Sequence, residues 1–147
     1  MSTFADSSAL VKLYADEPGH RPIRALQMLV VSAIARVEVP SALWRKSRTG
    51  ELEDAAADIL VSAFAFDFHG NPDSGSRFTI VSLTEPVLIA AAQEAARYAL
   101  RAYDAVQLAS ALAVRETDPR CSHFACFDAD LRRAASRAGF VLTPETA

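Results

Sequence analysis

Residues 2–14, STFADSSALVKLY, join a short extended segment to a helical one through three polar residues. Residues 2–5 predict a strand, and the apolar residues of 7–15 repeat at the spacing of one helical face. The same succession of strand and helix recurs along the chain. Further strands are predicted at 29–31, 78–83, 123–127 and 140–142, and further helices at 21–28, 33–48, 51–66, 85–100, 104–115 and 129–138. Alternation of this kind predicts an α/β fold with a mainly parallel sheet of four to five strands and helices on both faces.

The overall composition is that of one ordinary globular domain spanning residues 1–147. Half of the residues are apolar and the net charge is -3, so a polyanion would have to meet a local basic patch. We expect a cytoplasmic protein, because no basic cluster precedes an apolar core at the N-terminus and no apolar run is long enough for a membrane helix. Cys121 and Cys126 lack the spacing of a zinc site and are predicted to be buried thiols.

Three polar residues, Asp6, Ser7 and Ser8, stand where one helix cap is enough. The simplest assignment makes Ser7 or Ser8 the cap and leaves Asp6 without a structural role. Asp6 and Asp128 both follow predicted strands, and in an open parallel sheet the carboxyl ends of the strands form the edge where ligands bind. The alternative is that each aspartate caps the helix that follows it, and Asp104, near the start of another helix, admits the same explanation.

Glu38 has no such explanation. At about 100° per residue, Glu38, Ser41 and Arg45 share one stripe of their helix, bordered by apolar residues, which suggests a groove. The alternative is a surface ion pair between Glu38 and Arg45 or Arg36. If Glu38 converges with the three aspartates, the like charges require a cation among them. Oxygen ligands alone favour Mg²⁺ or Mn²⁺, and such an ion activates water for hydrolysis of a phosphate ester.

Four segments resemble the motif blocks of PIN-domain ribonucleases, and most of all the VapC-type toxins of bacterial toxin-antitoxin pairs. They are DSSALVKLY near the N-terminus, SAIARVEVPSALWR in the middle, LRAYDAVQLASA late and FDADLRRAA near the end. They occur in the family's order and cover almost the whole chain. The resemblance implies a compact three-layer α/β/α sandwich with Mg²⁺- or Mn²⁺-dependent endoribonuclease activity.

Carried over position by position, the resemblance makes Asp6, Glu38, Asp104 and Asp128 the catalytic, metal-binding acids. It places Ser7 beside the metal as a supporting residue. It also implies RNA as substrate, a VapB-like antitoxin whose C-terminal segment lies in an apolar groove, and a homodimer or toxin-antitoxin hetero-oligomer.

Several neighbouring residues remain open candidates. Asp130 stands two residues after Asp128, although the register with Leu131 favours Asp128 as the ligand. Arg101, Arg45 and Lys12 are candidates for RNA backbone contact, against the alternative of solvated surface charges. The residues 69–77, HGNPDSGSR, form the one clear loop, and whether it touches substrate is open. The histidines lack partner spacing, and the aromatic residues are predicted to be core.

Two other functions compete with the nuclease. An aspartyl-nucleophile phosphatase is suggested by Asp128 and Asp130 after a strand, but that class needs its aspartate pair after the first strand and a lysine downstream, and the chain has only Lys12 and Lys46. A non-catalytic PIN-like binding module would use the acids only as helix caps.

Overall fold

A computed structural model describes all 147 residues, with five strands and seven helices. In chain order the elements are β1 Ser2–Ala5, α1 Ser7–Tyr14, α2 His20–Arg24, β2 Leu29–Ser32, α3 Ala35–Arg48, α4 Asp54–His69, β3 Thr79–Val81, α5 Glu85–Tyr98, α6 Ala102–Thr117, β4 Cys121–Ala125, α7 Ala129–Arg137 and β5 Val141–Thr143.

The strands form one parallel sheet in the order β3-β2-β1-β4-β5. The chain runs outward from β1 to β3 and then returns to β4 on the other side of β1. The strand order therefore reverses between β1 and β4, the position where open α/β sheets form their ligand crevice. The predicted α/β sandwich with a parallel sheet is confirmed, with five strands.

Each face of the sheet has its own core, because successive side chains of a strand point to opposite faces. Phe4, Val30 and Phe124 face α5, α6 and α7, whereas their neighbours Ala5, Val31 and Ala125 face α1, α3 and α4. Helices on both sides of a sheet bury both of its faces, which makes the strands nearly continuous in apolar residues.

Most aromatic residues lie in these two cores, as predicted, and Phe4, Phe64 and Phe124 are almost fully buried. The prediction is wrong for Phe66 and Tyr103, which are 59% and 61% exposed. The prediction for the cysteines is confirmed, since both are buried free thiols.

Element boundaries differ from the predictions at several ends. Strand β4 lies two residues earlier than predicted because its pairing with β1 sets its limits. Helix α6 begins at Ala102 instead of 104, after Ala99 turns the chain through a left-handed conformation with φ 53°. Helix α2 stops at Arg24, and α4 begins only at Asp54. Local sequence propensity does not predict these element boundaries, because contacts in the tertiary structure decide them.

The loop before β3 lies at the edge of the sheet opposite to the strand carboxyl ends. Gly70 adopts φ 72°, and a Cβ there would lie 2.0 Å from the backbone of Gly75, so only glycine fits. Asn71 Oδ1 accepts hydrogen bonds from the backbone N–H groups of Asp73 and Ser74. None of the helices has the length and hydrophobicity needed to cross a membrane.

Candidate functional site

The candidate site lies where β1 and β4 end side by side at the carboxyl edge of the sheet. Asp6 directly follows β1, and Asp128 comes three residues after the last residue of β4. Glu38 lies in the first turn of α3, and Asp104 lies in the first turn of α6. Four segments that are distant in sequence thus bring one carboxylate each to the same edge.

The three polar residues that follow β1 have three different roles. Asp6, not Ser7 or Ser8, is the N-cap of α1, and its Oδ1 accepts from Ala9 N at 3.0 Å. Ser8 Oγ donates to the same Oδ1 at 2.7 Å and accepts from Phe127 N at 3.0 Å, which joins α1 to the segment after β4. The assignment of the cap to a serine is therefore wrong, because the extended backbone at Asp6 is the one suited to a cap.

Ser7 instead belongs to a buried polar network with Glu38. Ser7 Oγ donates to Glu38 Oε1 at 3.0 Å, and Gln107 Nε2 donates to the same oxygen at 2.8 Å. Gln107 Nε2 also lies 3.1 Å from Ser7 Oγ. Donors from two helices, α1 and α6, thus hold one oxygen of Glu38 on α3, and the second oxygen makes no hydrogen bond in the protein.

Gln107 is the residue of this site that sequence reasoning missed. It is 2% exposed and stands one turn after Asp104 on α6, so both side chains face the same side of that helix. The signal in the sequence was the polar residue three positions after Asp104 inside the apolar run AVQLASA.

Asp104 and Asp128 share the cation Arg101. Its Nη2 lies 3.5 Å from Asp128 Oδ2 and 3.7 Å from Asp104 Oδ2, while the guanidinium is 80% exposed. Asp128 caps α7 through Oδ1, which accepts from Leu131 N at 3.0 Å. The capping interpretation thus holds for one oxygen of Asp6 and one of Asp128. It fails for Asp104, whose helix has Arg101 at its N-cap position.

The electrostatics of these carboxylates reflect burial and crowding. Desolvation raises the pKa of Asp6 from 3.8 to about 7, against hydrogen bonds from Ser8 and Ala9 that lower it, and the charges of Glu38 and Asp104 raise it further. Burial also raises the pKa of Asp104, and the nearby charge of Asp128 adds to the effect. The resistance of Asp6 and Asp104 to ionisation favours a positive ligand beside them.

The donor atoms of the candidate site are of the type that binds a hard divalent ion. Asp104 Oδ2 is buried without a hydrogen-bond partner, and the second oxygens of Asp6 and Glu38 also make no hydrogen bond in the protein. Every donor is oxygen, the ligand type that Mg²⁺ and Mn²⁺ prefer. The side chains do not, as they stand, form a cluster of three or more groups that could hold an ion.

Of the remaining acidic and basic candidates, two are taken up by other contacts. Asp130 forms an exposed ion pair with Arg133 on α7. Lys12 is 8% exposed, and its Nζ donates to Glu17 Oε1 and to the carbonyl of Pro18, both at 2.8 Å. A phosphate would have to displace Glu17 to reach Lys12.

Arg45 differs from Lys12, because it is exposed and makes no ion pair. Neither the Glu38–Arg45 pair nor the Glu38–Arg36 pair forms. A cleft of about 480 Å³ lies at this position and is lined by both apolar and polar residues of α3.

Neither the scan against protein-family models nor the search of curated proteins gives a match for the chain.

Proposed function

We propose that the chain is a metal-dependent endoribonuclease of the PIN-domain type, and specifically a VapC-like toxin that a VapB-like antitoxin neutralises. The observation that carries the proposal is the placement of four carboxylates, one from each resembling segment, along the carboxyl edge of a parallel sheet near its switch point. This is the edge where such sheets bind ligands. The same proposal places the protein in the cytoplasm and has it assemble as a homodimer or as a hetero-oligomer with the antitoxin.

In this proposal Asp6, Asp104, Asp128 and Glu38 hold Mg²⁺ or Mn²⁺. When bound, such an ion would supply Lewis acidity for the attack of water on a phosphodiester. Ser7 and Gln107 orient Glu38 through its Oε1, so that the second oxygen points away from their hydrogen bonds.

Arg101 is the basic residue best placed for substrate. Its guanidinium is 80% exposed, and it already lies near two of the acids. A phosphodiester at the acidic edge would meet this side chain first, and arginine binds phosphate with paired hydrogen bonds. Exposed contacts of this length to Asp104 and Asp128 are weak, so they do not prevent Arg101 from binding phosphate.

The test is incubation of the purified protein with total cellular RNA and Mg²⁺ or Mn²⁺, followed by mapping of new 5′ ends. We expect discrete new ends with the wild type and none with Asp6→Asn or Asp128→Asn. The matched control is Asp130→Asn, because Asp130 is the same residue type at the same edge but is paired outward with Arg133. RNA that stays intact with either metal, or an Asp6→Asn variant as toxic to cells as the parent, contradicts the proposal.

A second candidate, a non-catalytic binding module of the same fold, has its own supporting observation. Asp6 and Asp128 both act as helix caps, and no ready-made cluster of three ligands is present. Calorimetry with Mn²⁺ separates the two candidates. The nuclease requires Mn²⁺ binding that Glu38→Gln weakens, whereas the module requires no such binding.

The phosphatase alternative has less support. Asp130 of its aspartate pair is exposed and ion-paired, and the buried Lys12 is held by Glu17. Trapping of a phospho-aspartate after incubation with a phosphate ester would support this alternative.

A further inference from the structure

A cleft beside the acidic edge has a composition that the four carboxylates do not explain. It measures about 480 Å³ and is lined by residues of α3 and the start of α6: Ile34, Val37, Glu38, Ser41, Arg45, Arg48 and Tyr103. Its volume falls within the range of small-ligand sites. Because Glu38 forms part of its wall, the cleft opens directly onto the candidate site.

Two unpaired cations line this cleft. Most basic side chains of the chain are held by a carboxylate or a carbonyl oxygen, as in Lys46 with Glu17 and Arg132 with Cys126. Arg45 and Arg48 are exposed and form no ion pair or hydrogen bond within the protein. At 1.5 Å per residue they stand about 10 and 15 Å along α3 from Glu38. They are therefore free donors along a line that leads away from the acids.

An exposed aromatic ring lines the same cleft. Tyr103 is 61% exposed and directly precedes Asp104 in the first turn of α6. Val37, beside Glu38, is 68% exposed. In the free protein the apolar surfaces of both side chains are in contact with water, which is unfavourable. A flat ligand that covers both removes these surfaces from water and gains that free energy. Nucleobases stack on such rings in single-stranded complexes.

From these contacts we propose that the cleft binds single-stranded RNA, with a base next to the scissile phosphate stacked on Tyr103 and the following phosphates held by Arg45 and Arg48. This inference rests on the proposed nuclease function and names the residues that grip its substrate. A protein segment is the other conceivable occupant. The two unpaired guanidinium groups favour a polyanion, because paired hydrogen bonds to phosphate are what arginine provides best.

The test measures binding without cleavage. Fluorescence anisotropy follows a labelled ten-nucleotide oligoadenylate in the presence of EDTA, so that the result does not depend on catalysis. Tyr103→Ala is expected to weaken binding about 5-fold or more, the ratio given by the low end of base–aromatic stacking energies. Tyr103→Phe keeps the ring and is expected to bind like the wild type. Thermal melting verifies that each variant is folded.

The arginines give a separate signature in the salt dependence. Arg45→Gln and Arg48→Gln are each expected to reduce the slope of log affinity against log salt by about 0.7, the value for one lost contact to a single strand. The matched control is Arg137→Gln, because Arg137 is an exposed and unpaired arginine of α7 outside the cleft. Val37→Glu adds a negative charge to the wall and is expected to weaken binding as well.

The outcomes separate this inference from the nuclease proposal. Binding that depends on Tyr103 and both arginines, without cleavage of total cellular RNA when Mg²⁺ or Mn²⁺ is added, supports the cleft and refutes the nuclease. The inference about the cleft is overturned if the wild type cleaves RNA while Tyr103→Ala binds the oligonucleotide as tightly as the wild type. It is also overturned if the wild type cleaves RNA while all arginine variants have equal salt slopes. Two further results also overturn it. One is a wild type that binds no oligonucleotide. The other is RNA binding that a bound protein partner blocks but that the substitutions in the cleft leave unchanged.

Discussion

Replacing Asp6 with asparagine is expected to stabilise the metal-free protein at alkaline pH and to abolish its response to Mn²⁺. Asparagine is as good a helix cap as aspartate, and its Oδ1 can accept from Ala9 N and Ser8 Oγ as the carboxylate does. The substitution therefore removes the buried charge and keeps the cap.

The expected size follows from the pKa of Asp6, which burial raises from 3.8 to about 7. An acid with a raised pKa in the folded state contributes stability that is fully present below pH 3.8 and is lost as the pH rises through about 7. At 1.36 kcal/mol per pKa unit, holding Asp6 ionised in the folded protein costs about 4 kcal/mol at pH 8. Asparagine avoids this cost, so the advantage of the variant grows with pH.

The assay is thermal unfolding of both proteins in EDTA at pH 6 and pH 8. The gap in stability between variant and wild type is expected to widen by about 1.4 kcal/mol over this interval, since one further pKa unit of the difference is expressed. For a chain of this size that is a change of about 3 to 6 °C in the gap between the two melting temperatures. Titrating groups that do not interact with Asp6 cancel, because both proteins contain them.

Addition of Mn²⁺ completes the experiment. At a concentration 100-fold above the dissociation constant, the ion would stabilise the wild type by about 2.7 kcal/mol and leave Asp6→Asn unchanged. Asp130→Asn, an exposed and ion-paired position, should match the wild type in every arm. Melting curves of wild type and Asp6→Asn that keep a constant gap from pH 6 to pH 8 would refute the reasoning about buried charge, and Mn²⁺ stabilisation of both would refute Asp6 as a ligand.

Three further predictions concern other parts of the molecule. Gln107→Leu removes a donor to Glu38 and is expected to weaken Mn²⁺ binding about 10-fold or more, measured by calorimetry, whereas unchanged affinity would show that Gln107 does not position Glu38. Thr84→Ala removes the cap bond to Val87 N and should lower the free energy of unfolding by about 1 kcal/mol in a urea titration, with Thr84→Ser as the variant that retains it. Phe64→Ala should cost about 3 to 5 kcal/mol in the same titration because the ring is 1% exposed, and a loss below 1 kcal/mol would contradict its place in the core.

The order of strands and helices was predictable because local signals mark it. The start of α5 is marked by the capping hydroxyl of Thr84, the carboxylate of Glu85 and the ring of Pro86. Thr84 Oγ1 accepts a hydrogen bond from Val87 N. Asp128 likewise caps α7. The ends of β4 and α2 were not predictable in this way, since pairing with β1 and the path into β2 set them.

The candidate site shows the same division. The predicted strand ends pointed to Asp6 and Asp128 and helical periodicity pointed to Glu38, whereas the resemblance to PIN-domain ribonucleases joined Asp104 to them as one set. Spacing did not reveal that Asp6 is the N-cap of α1, because Asp6, Ser7 and Ser8 are all residue types that favour the N-cap position. The backbone conformation at Asp6 decided between them.

What the sequence determined by itself is the alternation of elements, the two apolar faces of the sheet and the presence of acids after strands. Each of these is a local property, expressed in residues that are neighbours along the chain or one helical turn apart. Only the tertiary structure decided that Gln107 holds Glu38 across 69 residues, that Ser8 joins α1 to the segment after β4, and that the exposed Tyr103 lines the same cleft as two unpaired arginines. These relations depend on how three helices pack at one sheet edge, and no local pattern encodes the distance between side chains that far apart in the chain.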